Sequence, residues 1–209
     1  MNDTTQPRYI ENLAHLESLY GAVAEAPRRK EVSYLHPGYQ AMIAASPFAV
    51  LATVGPGGLD ASPRGDPPGF VVVQDEHTLL LPDRRGNNRI DSLRNIMADP
   101  RVALIFLIPG KGETLRVTGT ARISIVPDLL QRFAHQGALP KCVIEINVVS
   151  VFFQCARAIK RSRIWDPPSE ELLRSIPTPG AILDSITNSE INGSEYDVAL
   201  AARIPSSLY

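Results

Sequence analysis

The sequence has only two cysteines, Cys142 and Cys155, among its 209 residues. Two thiols are too few for a disulfide framework or, by themselves, for a zinc site, so we expect both to be buried free thiols. No apolar run approaches the ~20 residues that a membrane-spanning helix needs. The first residues are polar and lack the basic and then apolar pattern of a signal peptide. These absences predict a soluble, cytoplasmic protein.

The chain also lacks an excess of charge of either sign, since its formal net charge is −1 at pH 7. Long-range attraction to nucleic acid or to an anionic membrane is therefore not indicated. One bias remains, because 17 of the 21 cationic residues are arginine. A guanidinium group suits phosphate and carboxylate, but a GC-rich genome would produce the same bias. The arginines gain a functional meaning only where they cluster.

The common catalytic signatures are missing as well. The sequence contains no P-loop, no G-x-S-x-G elbow, no H-E-x-x-H and no dinucleotide fingerprint. The four histidines are scattered without metal-ligand spacing, so we expect no metal site, and nothing marks Asp60 and Asp66 as an acid/base pair. We therefore assign no catalytic residue. A bound cofactor would supply chemistry more readily than these side chains.

Short strands separated by turn residues dominate the pattern. The length suits one domain that buries about 70% of its surface on folding. We predict strands at Phe48–Val54, Leu59–Arg64, Phe70–Val73, Thr78–Leu81, Arg101–Ile108, Thr114–Ile125 and Cys142–Phe153. About seven strands with few helices predict a mainly β (α+β) fold, a small antiparallel barrel. Periodicity alone leaves a β-sandwich open.

The helices are predicted to be few and peripheral. We place them at Ile10–Val23, His36–Ala45, Asn88–Ala98, Pro127–Gln136 and Tyr196–Arg203, with Pro27–Glu31 as a polar connector. The tail after Trp165 is punctuated by prolines. The resulting organisation is a helical segment packing on the barrel (1–46), the barrel (47–166) and a C-terminal tail (167–209).

The segment Pro82–Asp91 has the pattern of a phosphate cradle. A strand ends, a glycine-containing loop follows, and a helix begins for which Asn88 is the predicted N-cap and Asp91 completes a capping box. The first N–H groups of a helix lack backbone partners and attract anions. Arg84, Arg85 and Arg89 surround this helix start. The alternative is a well-capped helix with solvated arginines.

Two other basic segments are candidates. Arg64 ends a strand between a proline and a glycine, where backbone can approach a ligand closely, although the residues slightly favour an ordinary strand-end turn. Arg157–Trp165 holds four cations and one tryptophan in nine residues. Its Lys160, Arg161 and Ser162 could bind phosphate. A solvated face is the alternative, and a nucleic-acid surface fits poorly because a series of aromatics is missing.

Taken in order, these segments carry a family resemblance. The motifs are the apolar strand Phe48–Val54, the segments Asp60–Gly69 (DASPRGDPPG) and Leu81–Arg89 (LPDRRGNNR), Asn95 to Val102 with its Asp-Pro-Arg-Val end, Glu113–Ala121 (ETLRVTGTA), and Cys155 through Lys-Arg-Ser to Trp165. From about Pro47 to Trp165 the chain resembles the pyridoxamine 5′-phosphate oxidase-related, FMN-binding split-barrel proteins. It is most similar to the subgroup with Gly-Asn-Asn-Arg and Lys-Arg-Ser…Trp signatures.

The resemblance implies a fold, a cofactor and an assembly. The family fold is a six-stranded split barrel, usually a homodimer with two FMN sites at the subunit interface. The implied contacts to the flavin ring and ribityl chain are Arg64, Gly65 and Asp66. Those on the phosphate side are Arg84, Asn87, Asn88, Arg89 and Ser92. Arg116 is a further contact, and Lys160, Arg161 and Ser162 would approach from the same chain or from the partner.

Two departures limit what the resemblance implies. Gln154 stands where the subgroup often has a histidine before the cysteine, so a catalytic role of that histidine does not transfer. The Arg- and His-containing C-terminal segment that grips pyridoxine phosphate in the oxidases is missing, so vitamin B6 synthesis is not expected. We expect an FMN-dependent oxidoreductase acting on an unknown small molecule. The alternatives are a flavin-binding module without turnover, or the same barrel using F420 or haem.

Overall fold

Seven strands form one antiparallel sheet in the computed structural model, which describes residues 9–209. The strands are β1 (Phe48–Gly55), β2 (Gly58–Gly65), β3 (Val72–Val73), β4 (Thr78–Pro82), β5 (Arg101–Leu107), β6 (Thr114–Ser124) and β7 (Val143–Gln154). Their order across the sheet is β2-β1-β5-β6-β7-β4-β3. The predicted mainly β, antiparallel barrel is confirmed, and it is split, because β2 and β3 are edges that do not pair with each other.

Helices lie before, between and after the strands. They are α1 (Leu13–Ser18), α2 (Glu25–Arg29), α3 (Pro37–Ala45), α4 (Asp91–Ala98), α5 (Pro127–Arg132), α6 (Arg157–Ser162), α7 (Glu170–Ser175), α8 (Pro179–Ile186) and α9 (Gly193–Arg203), followed by a 3₁₀ turn at Ile204–Ser206. None of the helices in residues 9–209 is long and apolar enough to cross a membrane. The polar start of the chain, residues 1–8, lies outside the described range.

Several helix predictions are wrong in their bounds. The first helix covers only Leu13–Ser18, and the predicted connector Pro27–Glu31 is largely helical in α2, because proline is tolerated in a first helical turn. In the tail, Ser169 and Thr178 accept hydrogen bonds from backbone N–H groups at the starts of α7 and α8, which the prediction missed. The prolines that punctuate the tail precede or begin these helices.

Contacts divide the chain between Glu31 and Val32 into two compact units. The first contains α1 and α2, in which no residue is buried. The second contains everything from Val32 onward, including α3 and the whole sheet. Since the predicted bounds 1–46, 47–166 and 167–209 are not tested by this division, they stay a prediction.

The core of the second unit lies on one face of the sheet. Leu51, Phe106 and Ile146 from the strands pack with Ile43 of α3 and Ile96 of α4, and all are buried. In β6 buried residues alternate with more exposed ones from Leu115 to Arg122, and a bulge interrupts the pairing with β7 between Thr118 and Gly119. The opposite face of β1 and β5 is left partly exposed.

A glycine of β1 makes room for a side chain of α4. A Cβ at Gly55 would overlap Oδ1 of Asn95, so a larger residue would push the Asn95 amide out of its place. Nδ2 of Asn95 donates a hydrogen bond of 3.1 Å to the buried Thr53 Oγ1. These contacts fix the helix, and therefore the loop before it, beside β1 and β2.

Candidate functional site

A groove of about 1090 Å³ lies where the barrel is split. Its walls come from β2, from the loop 83–90 after β4, from the first turn of α4, from residues 138–141 before β7, and from residues 207–209. Of the predicted site residues, seven line it: Arg64, Gly65, Arg84, Asn87, Asn88, Arg89 and Ser92. The sheet therefore brings together two segments that the sequence analysis treated separately.

Two crossed ion pairs hold the split together. Arg64 Nη1 of β2 donates to Oδ1 of Asp83 at 3.0 Å, and Arg84 Nε donates to Oδ2 of Asp66 at 2.7 Å. The Asp66 side chain is only 3% exposed, and the other three are 16–20% exposed. Arg84 Nη1 also donates to the carbonyl oxygen of Phe133 at 2.7 Å. Ion pairs and hydrogen bonds thus join the end of β2 to the end of β4, which no strand pairing does.

The loop before α4 differs from the predicted cap. The helix begins at Asp91, Ile90 stands at the N-cap without a side-chain hydrogen bond, and Asn88 has φ of 61°. The predicted N-cap role of Asn88 is therefore wrong. Ile90 also has positive φ, at 53°, which is strained for a β-branched residue and is typical of functional loops. The first N–H groups of α4 lack a side-chain cap and lie along the groove.

The groove is cationic. Five cations line it, Arg64, Arg84, Arg85, Arg89 and Lys141, against three carboxylates, Asp60, Asp83 and Asp91. Arg89 forms an exposed pair of 2.8 Å with Asp91, and the hydrogen bond to this carboxylate, reinforced by its charge, raises the pKa of the arginine. Within residues 9–209, neither Arg85 nor Lys141 forms an ion pair. These two side chains have charge available for an anionic ligand.

One buried donor lacks a partner. Nε of Arg64 is inaccessible to solvent and makes no hydrogen bond to any residue in the described range. An unsatisfied buried donor costs about 1–3 kcal/mol, so native structures rarely leave one unmet. The Arg64 side chain lines the groove through its other atoms, so a small shift of this side chain would bring Nε to a ligand acceptor.

The two cysteines have different environments. Cys142 is buried near Arg64 and Asp83, and burial, reinforced by the Asp83 charge, raises its thiol pKa to about 11. Cys155 is exposed, so the prediction of two buried thiols is wrong for this one. Cys155 ends up exposed because it follows the last residue of β7 rather than lying within the strand.

Sequence reasoning missed the contribution of the tail. Tyr209 lies beside the groove, where its hydroxyl donates to Oδ1 of Asp66 at 2.6 Å and its ring stacks on His135 with centroids 3.8 Å apart. The hydrogen bond to Asp66, with burial, raises the pKa of Tyr209. No local pattern predicts this contact, because 143 residues separate its two partners.

Four predicted site residues lie away from the groove of their own chain. Arg116 extends from the exposed face of β6, with its guanidinium carbon 5.8 Å from the Phe152 ring centroid. Lys160, Arg161 and Ser162 are exposed on α6, and Ser162 Oγ donates to the carbonyl of Ile159. Asp66 does not line the groove directly, but it binds Arg84, which does.

The groove brings together several kinds of hydrogen-bond donor. Guanidinium groups, amide side chains and uncapped N–H groups are donors suited to a phosphate. The family model of pyridoxamine 5′-phosphate oxidase matches residues 35–155, which is more than half of the chain. The chain belongs to the pyridoxamine 5′-phosphate oxidase family, and the resemblance inferred from its motifs is confirmed at that level.

Solved structures give further similarities. HupZ of Group A Streptococcus is 18% identical with a TM-score of 0.48, over 57% of this chain and 94% of that one. A pyridoxamine 5′-phosphate oxidase-like protein of Lactobacillus delbrueckii is 21% identical with a TM-score of 0.46, over 58% and 95%. General stress protein 26 of Bacillus anthracis is 18% identical with a TM-score of 0.38, over 54% and 88%. No curated protein matches the chain.

Proposed function

We propose that this protein binds FMN in the groove and acts as an FMN-dependent oxidoreductase on a small molecule. The observation that carries the proposal is the donor set at the split of the barrel, where four arginines meet in a chain of the pyridoxamine 5′-phosphate oxidase family. A phosphate that bears nearly two negative charges needs several such donors. FMN would supply the electron chemistry of the reaction, and the protein would bind and orient it.

The residues present fit this cofactor. Nε of Arg64 is a buried donor that lacks an acceptor, and Arg85 and Lys141 form no ion pair within the described residues. The groove volume of about 1090 Å³ is large enough for a ligand of this size. Arg84, Arg85, Asn87, Asn88, Arg89 and Ser92 would hold the phosphate, and Arg64 and Gly65 would lie nearer the ring and the ribityl chain. Asp66, which does not line the groove, would act through Arg84.

Arg64 would also influence the electronic properties of the bound ring. Its guanidinium is mostly buried, and a charge in a partly desolvated site acts more strongly than the same charge in water. A cation near the flavin ring favours the form with more negative charge. The Asp83 carboxylate fixes the orientation of this cation at 3.0 Å and offsets part of its charge.

The proposal includes a homodimer with FMN at the subunit interface. Phe48, Leu59 and Ile105 are exposed on the outward face of β1, β2 and β5, where Val50 pairs with Ile105 in register. An exposed apolar face of this kind is typical of an interface. Since Arg116 and Lys160 do not line the groove of their own chain, any contact of theirs with FMN requires the partner subunit.

A flavin-binding module without turnover is the second candidate. It is favoured by the groove's titratable groups, because Asp83 and Asp91 are ion-paired and the lining contains no histidine. Steady-state oxidation of NADH or NADPH with simple acceptors separates the two. An oxidoreductase turns over many equivalents of reductant per flavin, whereas a binding module does not.

The visible spectrum of the purified protein tests the cofactor. We expect flavin absorption bands, a released molecule with the mass of FMN, and saturable quenching of FMN fluorescence when stripped protein is titrated. Absorption bands or a released mass characteristic of F420 or of haem would show that this cofactor, and not FMN, is bound. Colourless protein that quenches no added FMN would refute the proposal.

A further inference from the structure

The last residues of the chain lie against the candidate site. After α9 ends at Arg203, a 3₁₀ turn at Ile204–Ser206 leads to Ser207–Tyr209, and these three residues line the groove. Within this segment Leu208 is 58% exposed, whereas Tyr209 is half-buried. The tail therefore inserts one aromatic side chain and leaves the neighbouring leucine outside.

The contacts of Tyr209 are directed at one ion pair. Its hydroxyl donates to Oδ1 of Asp66 at 2.6 Å, while Oδ2 of the same carboxylate accepts from Arg84 Nε at 2.7 Å. The Arg84 guanidinium carbon lies 5.4 Å from the centroid of the Tyr209 ring, and that ring stacks on His135. Both oxygens of a carboxylate that is only 3% exposed are thus occupied by donors.

This network fixes the orientation of Arg84. The guanidinium is planar and has five N–H donors in a rigid fork. Asp66 engages Nε and the Phe133 carbonyl engages Nη1, so the direction of the remaining donors is set. Those donors have no acceptor within residues 9–209, and the side chain lines the groove. They are positioned for a ligand.

The tail forms a wall of the groove and does not fill it. The volume of about 1090 Å³ is open with Tyr209 in place. That volume slightly exceeds the roughly 300–1,000 Å³ found for small-molecule sites. A ligand can therefore enter without displacing the tail, and it would meet Arg84 in the orientation that Tyr209 supports.

We propose that Tyr209 is a positioning residue which, through Asp66, holds the guanidinium of Arg84 against the phosphate of the bound ligand. This inference rests on the proposed FMN site and adds the tail to it. Removal of the hydroxyl leaves Asp66 with one side-chain donor, so the carboxylate that anchors Nε of Arg84 is itself held less firmly. The loss falls on ligands that carry a phosphate and spares those that lack it.

The test compares FMN with riboflavin, which has no phosphate. Dissociation constants are measured by fluorescence quenching for the full chain, Tyr209→Phe and Tyr209→Ala. We expect Tyr209→Phe to weaken FMN binding about tenfold, which is about 1.4 kcal/mol, and riboflavin binding less than about twofold. Tyr209→Ala also removes the stacked ring, so both ligands bind more weakly. The matched control is Tyr196→Phe on α9, because the Tyr196 hydroxyl accepts a hydrogen bond from Arg203 and the residue does not line the groove.

The outcomes separate this inference from the proposed function. If the unaltered protein binds neither ligand, the FMN site fails and this inference fails with it. If it binds FMN, and Tyr209→Phe binds each ligand as tightly as the unaltered protein does, Tyr209 has no positioning role. Equal losses of affinity for FMN and riboflavin, together with a lower melting temperature, would assign Tyr209 a structural role only. Tighter binding by Tyr209→Ala would show that the tail obstructs the groove and would overturn the inference.

Discussion

Two clusters of basic residues in this chain carry a similar number of positive charges but differ in how the fold assembles them and in how far it buries them. The groove cluster consists of Arg64, Arg84, Arg85, Arg89 and Lys141, which come from separate segments and meet at the split of the barrel. The α6 cluster consists of Arg157, Lys160, Arg161 and Arg163, which lie within seven residues of one helix and its C-cap and are all exposed. Of the two clusters, only the groove cluster lines a large cavity, and two of its ion pairs, Arg64–Asp83 and Arg84–Asp66, are mostly buried.

The comparison shows that charge density along the sequence does not locate a site. The α6 cluster is the denser of the two in sequence, yet its Arg163 pairs with Asp166 three residues away at 78% exposure, an arrangement worth little energy. The groove cluster is sparse in sequence, but the strand order brings the ends of β2 and β4 together. Burial then makes each of its charges count for more.

The two cysteines report on these two environments, and here we expect the largest difference. At pH 8 only about one Cys142 thiol in a thousand is ionised if its pKa is about 11, and the thiolate is the reactive form. Cys155 is exposed beside the α6 cluster. Alkylation of the native protein, followed by peptide mass spectrometry, should label Cys142 at least about a hundredfold more slowly than Cys155.

The pH dependence of this reaction provides its own check. Since the raised pKa keeps Cys142 protonated up to about pH 11, its alkylation rate should rise about tenfold per pH unit between pH 7 and 9. The same reaction in urea provides the unfolded reference, in which both peptides react alike. Rapid native labelling of Cys142 would contradict the buried environment of the groove cluster.

Removal of one partner of a groove ion pair should destabilise the fold. Arg64→Ala leaves the mostly buried carboxylate of Asp83 unpaired, and we expect a loss of about 3 kcal/mol in the free energy of unfolding by urea. The matched change Arg161→Ala, in the exposed α6 cluster, should alter that free energy by less than about 0.5 kcal/mol. Equal effects of the two substitutions would remove the distinction between the clusters.

The same contrast explains what the sequence could predict. The strands, the turn at residues 55–58 and the loop between β4 and α4 carry local signals, so Arg84, Arg85 and Arg89 were recognisable as candidates. The cap was predicted wrongly because Ile90 adopts a left-handed backbone conformation, which its residue type disfavours. Asp83 and Tyr209 carry no local signal, because their roles depend on partners 19 and 143 residues away.

Substitution of groove cations that belong to no buried ion pair should weaken FMN binding without lowering the stability of the fold. Arg85 forms no ion pair within the described residues, and the Arg89 pair is exposed at the arginine. We expect Arg85→Gln with Arg89→Gln to weaken FMN binding about a hundredfold, since each lost charge-assisted contact contributes about tenfold. Arg174→Gln on α7, which loses a comparable exposed pair far along the chain, is the control. Unchanged affinity in the double variant would place the phosphate elsewhere.

The smallest effect concerns the α6 cluster and decides whether it belongs to the site at all. Lys160 and Arg161 do not line the groove of their own chain, so they can reach a cofactor only from a partner subunit. We expect Lys160→Gln with Arg161→Gln to weaken FMN binding about fivefold in the dimer, because exposed charges contribute little. The same change should have no effect in an Ile105→Glu background, which we expect to be monomeric by size-exclusion chromatography.

Ile105→Glu suits this purpose because the substitution is compatible with the fold. Ile105 is 38% exposed on the outward face of β5 and lies opposite Arg116 of β6, so a glutamate there gains a cross-strand partner of opposite charge. A fivefold loss in both backgrounds would show that α6 reaches the groove of its own chain. No loss in the dimer would make the cluster a solvated face and leave the groove cluster, with Tyr209 beside it, as the complete site.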